Sequence, residues 1–137
     1  MSDFRTVTPA FSVAPQISVA DLSAAAAQGF ARVINNRPDA ESPGQPSSAE
    51  IETAARAAGL DYLWMPIVGG PSPAQADAMF AALEDGRRTL AFCRSGTRSI
   101  TAWAIGQVRA GATGADELAE LGERAGYDLS WLRGAGR

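Results

Sequence analysis

Short apolar runs alternate with longer amphipathic or alanine-rich segments along the chain. Compact apolar runs bounded by turn residues are typical of strands, and the segments between them follow helical spacing. The predicted strands span 10–14, 30–35, 61–67 and 89–92, and the predicted helices span 18–28, 48–58, 72–83, 99–110 and 114–125, before a helical turn near 129–131. This alternation predicts an α/β fold with a mostly parallel central sheet flanked by helices. We expect a single domain over residues 1–137, with its core at about 8–132.

Local signals support the helix starts. Ser18, followed three residues later by Asp21, has capping-box spacing, and Ser47 or Ser48 marks the start of the next helix. The large aromatic side chains are expected in the packing: Trp64 and Trp103 in the core, and Trp131 against the C-terminal region.

Composition narrows the function classes. Apolar residues make up 46% of the 137 residues, charged residues 20%, and the net charge is −3. This balance suits a globular core, and the lack of a basic patch argues against a nucleic-acid partner. All 12 basic residues are Arg, there is no His, and Cys93 is the single Cys. A structural metal site is therefore not expected, and a disulfide within the chain is excluded.

The sequence also indicates the compartment. No signal peptide is evident at the N-terminus, and no run of 18 apolar residues occurs that would span a membrane. The free thiol fits a reducing environment. We expect a cytoplasmic protein without a membrane partner and without a cofactor.

The most informative segment is CRSGTRS, residues 93–99, between the last predicted strand and the following helix. The first amides of a helix lack internal partners and carry the positive end of its dipole. Gly96 permits the backbone angles that let amides converge into an anion-binding nest. Such a nest favours the thiolate of Cys93, and Arg98 has the forked donors that grip an oxyanion. The hydroxyl of Ser99 or Thr97 is a further candidate donor to the sulfur.

This segment resembles the active-site loop of the rhodanese and tyrosine-phosphatase group. Together with FSVAPQIS and VINNRPDAESPGQPSSAEI, it resembles the bacterial family of the beta-lactamase hydrolase-like protein, phosphatase-like domain, over about residues 8–132. The resemblance implies a dual-specificity-phosphatase-like fold, and either phosphatase or sulfurtransferase activity. It also implies that Asn35, Arg37 and Asp39 border the active site.

The candidate site residues follow from the loop and from this resemblance. The catalytic candidates are Cys93, Arg98 and Asp39. The substrate-binding or anion-binding candidates are Arg94, Ser95, Gly96, Thr97, Ser99, Arg37 and Asn35. No metal ligand is among them.

The spacing within the loop favours sulfur transfer. Four residues separate Cys93 from Arg98, as in single-domain rhodaneses, whereas tyrosine-phosphatase loops have five. A shorter ring of amides leaves less room for a phosphoryl group. We therefore expect a sulfurtransferase that forms a persulfide on Cys93, with a cysteine-based phosphatase as the alternative and a non-catalytic anion or persulfide sensor as a third.

The lack of an obvious general acid also favours sulfur transfer. A phosphatase needs a donor that protonates the leaving oxygen, and in this group an Asp follows the strand that resembles DYLWMPI. Residues 68–72 hold no acid, Asp61 precedes the strand, and Asp77 lies within a helix. Asp39 remains, either as an acid or as a local turn and capping residue. The expected substrate is a small anion (thiosulfate, a persulfide or a phosphate ester), and a thiol acceptor protein is a further candidate partner.

Overall fold

The computed structural model describes residues 3–135, and within them strands and helices alternate along most of the chain. The strands are β1 Arg5–Thr8, β2 Phe11–Ala14, β3 Arg32–Asn35, β4 Asp61–Trp64 and β5 Thr89–Phe92. The helices are α1 Val19–Ala27, α2 Ser48–Ala57, α3 Pro73–Leu83, α4 Thr97–Arg109, α5 Ala115–Ala125 and α6 Leu132–Ala135.

The strands form one sheet in the order β1-β2-β5-β3-β4. The strands β2, β5, β3 and β4 are parallel, and only β1 is antiparallel, as the partner of β2. The prediction of an α/β fold with a mostly parallel sheet is confirmed. The sequence analysis missed β1, whose four residues have only one buried side chain, Val7.

Register brings three strand ends to the same level. Phe92 at the end of β5 lies opposite Ala14 on one side and Asn35 on the other. Residues that directly follow these strands therefore meet at the carboxyl edge of the sheet, where α/β proteins bind ligands. Cys93 follows β5 at the centre of this edge.

Side chains that alternate along the strands fill two cores, one on each face of the sheet. Ala91 belongs to the core that holds Ile100 and Trp103 of α4, and its neighbours Leu90 and Phe92 belong to the core that holds residues of α1 and α2. All four residues of β5 are buried. The strand before Cys93 is thus fixed by packing on both faces.

The helix starts follow the predicted chemistry. Ser18 with Asp21, Ser47 with Glu50, and Ser72 with Gln75 each form a complete capping box. These local bonds satisfy amides that the first helical turn leaves without partners. Within the described residues, no helix is long and apolar enough to cross a membrane.

One of the three tryptophans, Trp64, lies differently from the prediction. Trp103 is buried and stacks on Phe11, with ring centroids 5.4 Å apart. Trp64 is 44% exposed because β4 is an edge strand, and its indole Nε1 donates to the carbonyl of Arg37 at 3.0 Å. Trp131 is also exposed and precedes α6.

Candidate active site

Cys93 is held at the end of β5 by bonds to both neighbouring strand ends. Its amide donates to the carbonyl of Ala14 at 3.4 Å, and the amide of Asn36 donates to the carbonyl of Phe92 at 2.8 Å. On the far side of Cys93, the carbonyl of Arg94 accepts from the amide of Gln16 at 3.2 Å. The loop is therefore anchored where it leaves the sheet, and the thiol is fully buried.

The Cys93 sulfur accepts a backbone hydrogen bond within the loop. The amide of Gly96 donates to Sγ across 3.1 Å. Gly96 has φ +93°, a left-handed conformation that closes the loop, and α4 begins at the next residue. The sulfur therefore lies at the N-terminus of a thirteen-residue helix, where free amides and the helix dipole favour negative charge.

Tyr127 supports the loop from outside, a contact that the sequence analysis missed. Its hydroxyl donates to the carbonyl of Ser95 at 2.8 Å. Burial raises the pKa of Tyr127, so the hydroxyl stays protonated as a donor. A Cβ at Gly96 would lie 2.0 Å from the Tyr127 oxygen. The contact therefore requires glycine at this position.

The loop hydroxyls bond to one another or to neighbouring side chains. Ser95 Oγ donates to Thr97 Oγ1 at 2.9 Å and accepts from the Thr97 amide at 3.3 Å. The buried Ser99 hydroxyl donates to Asn36 Oδ1 at 2.8 Å, so its proton points away from the sulfur. Asn36, another residue that the sequence analysis missed, also donates to the carbonyl of Met65 at 2.9 Å. Ser99 therefore joins α4 to the loop that follows β3.

Arg98 reaches across the site to Glu41. Its Nη1 and Nη2 donate to the two carboxylate oxygens at 2.9 and 2.8 Å, and Nη1 also donates to the carbonyl of Ile67 at 2.8 Å. This bidentate geometry is the one in which a guanidinium grips a carboxylate or a phosphate. Glu41 and the Cys93 sulfur both raise the pKa of Arg98, with Glu41 the larger cause. Arg98 therefore lies close to both the Cys93 sulfur and the Glu41 carboxylate.

Hydrogen bonding from Arg98 is the largest cause that lowers the pKa of Glu41, which falls from 4.5 to about 2. Burial opposes this shift, and hydrogen bonding from Arg37 adds to it. Glu41 follows Ala40, a non-glycine residue with φ +61°. Such left-handed residues carry strain and cluster at functional sites. The lowered pKa of Glu41 could not be predicted from the sequence, because Glu41 and Arg98 are far apart along the chain. The left-handed φ of Ala40 has no sequence signal either, since alanine rarely adopts it.

Arg37 is buried and ties the loop after β3 together. Its Nε donates to Glu41 at 3.0 Å, its Nη1 to Gln16 at 2.9 Å and its Nη2 to Ser42 at 3.1 Å. Each of its guanidinium nitrogens therefore already has an acceptor within the protein. Asn35 is also buried; its Oδ1 accepts from the Arg37 amide at 2.8 Å, and its Nδ2 donates to the Tyr62 hydroxyl at 3.0 Å. Arg37 and Asn35 therefore hydrogen-bond to other protein groups and hold the loop after β3 in place.

Arg94, in contrast, is exposed within the loop between Cys93 and Gly96. Its side chain lies at the protein surface beside the cradle. The loop contains two arginines. Arg94 is exposed to solvent, whereas Arg98 already pairs with the Glu41 carboxylate.

Asp39 lies at the start of α2. Its Oδ1 accepts from the amide of Ser48, the first residue of that helix, at 2.7 Å. The sequence left a choice between an acid and a local cap, and this geometry supports the local cap.

The other acids considered in the sequence are also engaged elsewhere. Asp61 begins β4 and pairs with Arg87 at 2.6 Å, and Asp77 on α3 pairs with Arg109 at 2.7 Å. Both pairs are exposed, and neither carboxylate contacts the loop residues described above.

Substitution of Asp39 by alanine is expected to destabilise the protein by about 1 kcal/mol, the usual cost of a lost N-terminal cap. The first amide of α2 would lose its acceptor. Chemical denaturation followed by circular dichroism measures this loss. Asp39→Asn is the matched control, since its side-chain oxygen still accepts the bond. Equal stability of the two variants would contradict the capping role.

The Glu41 pair predicts a dependence of stability on acid. A carboxyl group whose pKa falls from 4.5 to about 2 on folding binds fewer protons folded than unfolded between these values. Its stabilisation is therefore complete above pH 4.5 and is lost as the pH falls towards about 2. The free energy of unfolding of Glu41→Gln is expected to fall less steeply over this window than that of the wild type.

The matched control for this measurement is Glu52→Gln, which removes a surface carboxylate that pairs with Arg56 on α2. This variant is expected to keep the wild-type slope. A Glu41→Gln slope equal to that of the wild type would show that the pair with Arg98 does not stabilise the folded state.

Among the described residues, no group of three or more His, Cys, Asp or Glu side chains is placed to hold a metal ion.

Comparison with known proteins identifies the family. The sequence model of the beta-lactamase hydrolase-like protein, phosphatase-like domain, matches residues 3–110. A beta-lactamase hydrolase-like protein of Agrobacterium fabrum is 36% identical over 121 residues, which cover 86% of this chain and 28% of that protein. One of Xylella fastidiosa (strain Temecula1) is 36% identical over 115 residues, 79% of this chain and 26% of that protein. The chain thus spans about a quarter of the length of these curated relatives.

Solved structures give the same picture of the fold. A candidate phosphatase of Neisseria meningitidis is 26% identical with a TM-score of 0.84, covering 98% of this chain and 96% of that one. The structure of P. aeruginosa TpbA in complex with pTyr has 12% identity and a TM-score of 0.65, covering 97% and 89% of the two chains. At that identity only the fold is shared.

These similarities correct the sequence-based preference for sulfur transfer. They fit the phosphatase alternative better than sulfur transfer, and they agree with the prediction of an enzyme that uses a cysteine nucleophile. The predicted resemblance is confirmed: the chain belongs to the family of the beta-lactamase hydrolase-like protein, phosphatase-like domain.

Proposed function

We propose that this protein is a cysteine-dependent phosphatase that hydrolyses a small phosphate monoester through a phosphoryl group carried on Cys93. The observation that carries the proposal is the position of the Cys93 sulfur, which accepts the Gly96 amide at 3.1 Å at the N-terminus of α4. The family and the solved neighbours supply the phosphatase context.

The first step is attack by the Cys93 thiolate on phosphorus. The S–P bond forms as the bond from phosphorus to the ester oxygen breaks, and the leaving oxygen takes a proton. The backbone amide of Gly96 and the start of α4 face the region in which the phosphoryl oxygens gain charge. Preorganised donors of this kind stabilise a transition state because they need no reorientation during the reaction.

Arg98 supplies the second part of the cradle. Its forked donors already hold a carboxylate in a bidentate pair, and the same fork suits two oxygens of a phosphoryl group. The carbonyl of Ile67 fixes Nη1 at 2.8 Å. Arg98 can therefore exchange one anion for another while its guanidinium stays in place.

The second step is hydrolysis of the phosphorylated cysteine. Water attacks phosphorus, the S–P bond breaks, and Cys93 leaves as a thiolate that the same amides stabilise. Inorganic phosphate then leaves the site. The two steps together split a slow displacement by water into two displacements with an activated nucleophile and a good leaving group.

Sulfur transfer is the second candidate, and the spacing of four residues between Cys93 and Arg98 favours it. In that reaction a sulfane sulfur from thiosulfate or a low-molecular-weight persulfide forms a persulfide on Cys93. An acceptor thiol, or cyanide in the assay, then removes it. No acid is needed, because sulfite or a thiolate leaves without a proton.

One pair of assays separates these activities. The purified protein is given p-nitrophenyl phosphate in one reaction, and thiosulfate or glutathione persulfide with cyanide in another. We expect release of phosphate and little formation of thiocyanate. Formation of thiocyanate without phosphate release would reverse the assignment, and binding of tungstate without either activity would indicate an anion sensor.

A further inference from the structure

The proposed phosphatase needs a proton donor, and the loop after β4 does not provide one. Residues 68–72 contain no acid, and Val68 in this loop is 80% exposed. Asp39 accepts a hydrogen bond from the first amide of α2 and is engaged there as a cap. Glu41 is the carboxylate that contacts Arg98 directly.

We propose that Glu41 is the general acid of this reaction, released for proton transfer when a phosphoryl group takes its place on Arg98. The inference rests on the proposed phosphatase activity. It assigns a catalytic role to a residue that neither the loop sequence nor the family resemblance pointed to.

The geometry of the Arg98 fork supports this exchange. Both Glu41 oxygens accept hydrogen bonds from the terminal nitrogens of Arg98, at 2.8 and 2.9 Å. These are the donors that two phosphoryl oxygens require in the same bidentate arrangement. Because Ile67 anchors Arg98 from its other side, the carboxylate is the group that moves. It withdraws from the Arg98 fork as the phosphoryl group enters and stays beside that group.

The main chain at Glu41 is fixed, so that the side chain alone makes this movement. Ala40 has the left-handed φ of +61°, and the Gln45 side-chain oxygen accepts from the amide of Glu41 at 3.1 Å. Gln45 also donates to the carbonyl of Pro38 at 2.8 Å. A loop braced in this way keeps Glu41 near the site in both positions of its carboxylate.

Charge explains why Glu41 gains a proton only in the complex. The charged groups that face it among the described residues are Arg98 from α4 and Arg37 from its own loop. In the empty site both keep it ionised. When a phosphoryl dianion takes Arg98, one favourable cation is neutralised and a like charge arrives, and both changes raise the pKa of the carboxyl group. The proton is taken up from solvent.

The proposed step balances. As the S–P bond forms and the ester P–O bond breaks, the Glu41 proton passes to the leaving oxygen, which departs as an alcohol or phenol. The resulting carboxylate then accepts a proton from the water that attacks phosphorus. Cys93 leaves as a thiolate with the S–P electron pair. Inorganic phosphate carries away the hydroxyl from water, and the glutamic acid is regenerated.

The test compares wild type and Glu41→Gln on two esters with different leaving groups. Phenyl phosphate needs a proton on its leaving oxygen, whereas 2,4-dinitrophenyl phosphate departs readily as an anion. We expect Glu41→Gln to lower kcat/KM, which reports the steps up to phosphorylation of Cys93, by about 10²-fold or more on phenyl phosphate and by less than about tenfold on the dinitrophenyl ester. Glu52→Gln, a matched change at the surface, is expected to retain wild-type rates on both.

Each other outcome has a defined meaning. Equal losses on the two esters, together with weaker inhibition by tungstate, would overturn the acid role and assign Glu41 to the positioning of Arg98. Unchanged rates on both would also overturn it. If the wild type itself released phosphate from neither ester, the proposed phosphatase activity would fail, and the acid role with it.

A second measurement does not depend on the variant being folded. A wild-type enzyme with a proton donor is expected to show a weak dependence of kcat/KM, which reports the phosphorylation of Cys93, on the pKa of the leaving phenol across a series of aryl phosphates. A steep dependence in the wild type would contradict the presence of any general acid, Glu41 included.

Discussion

Replacement of Cys93 by serine is expected to lower phosphate release by about 10³-fold or more, the scale seen when a nucleophile is removed from a catalytic unit. A serine hydroxyl in this position is neutral at pH 7, and the loop amides alone do not make it a comparable nucleophile. The chain has no second cysteine that could replace Cys93. Steady-state release of phosphate from p-nitrophenyl phosphate measures the loss.

The Cys93→Ser protein is also expected to keep its fold and its affinity for tungstate. In the proposed mechanism the loop amides and Arg98 hold the oxyanion, and neither is changed by the substitution. Thermal unfolding and inhibitor titration serve as the controls. Phosphate release by Cys93→Ser within tenfold of the wild type would remove the covalent step from the mechanism.

Substitution of Gly96 by alanine is expected to damage the cradle severely. The residue has φ +93°, and an added Cβ would meet the Tyr127 oxygen at 2.0 Å, its Cζ at 2.9 Å and the Ala14 carbonyl at 3.3 Å. The strained φ alone costs about 1–2 kcal/mol, and the clash must displace either Tyr127 or the loop. Because the Gly96 amide is the donor to Cys93, we expect a large loss of turnover as well.

Gly111 offers the matched control for this experiment. It has φ +68°, and an added Cβ would meet no atom within 4 Å. Gly111→Ala is therefore expected to show the cost of the backbone conformation, about 1–2 kcal/mol, with turnover unchanged. If Gly96→Ala matched Gly111→Ala in both stability and turnover, the contact with Tyr127 would not shape the active site.

Features set by neighbouring residues could be predicted from the sequence. The capping boxes at Ser18 and Ser47 depend on residues three positions apart, and the buried run 89–92 is apolar after its first residue, Thr89. The position of Cys93 at the sheet edge follows from the order strand, loop, helix. These parts of the fold and of the site are encoded locally.

Features set by contacts between distant segments could not. Trp64 is apolar and lies on a strand, but its exposure depends on β4 being at the edge of the sheet. The Ser99 hydroxyl is a plausible donor to the sulfur by its position in the loop. Its proton instead goes to Asn36, which lies far from it in sequence. Tyr127 and Glu41 lie far from the loop in sequence. No local pattern distinguishes them from other surface residues.

The loop length illustrates the same limit. The four residues between Cys93 and Arg98 predict a cradle with less room for a phosphoryl group. In the structure, Gly96 closes the loop and Arg98 lies in the first turn of α4, from which its side chain extends to Glu41 and Ile67. The proposed anion site therefore depends on the reach of Arg98 as well as on the loop amides, and a residue count does not capture that reach.

The central claim, a phosphoryl group carried on Cys93, is tested most directly by trapping it. The wild-type protein is mixed with p-nitrophenyl phosphate and quenched during the first turnover, and its peptides are analysed by mass spectrometry. We predict one phosphoryl group on the peptide that contains Cys93, and none on the same peptide from Cys93→Ser. Phosphate release by the wild type with Cys93 unmodified throughout the first turnover would contradict the account.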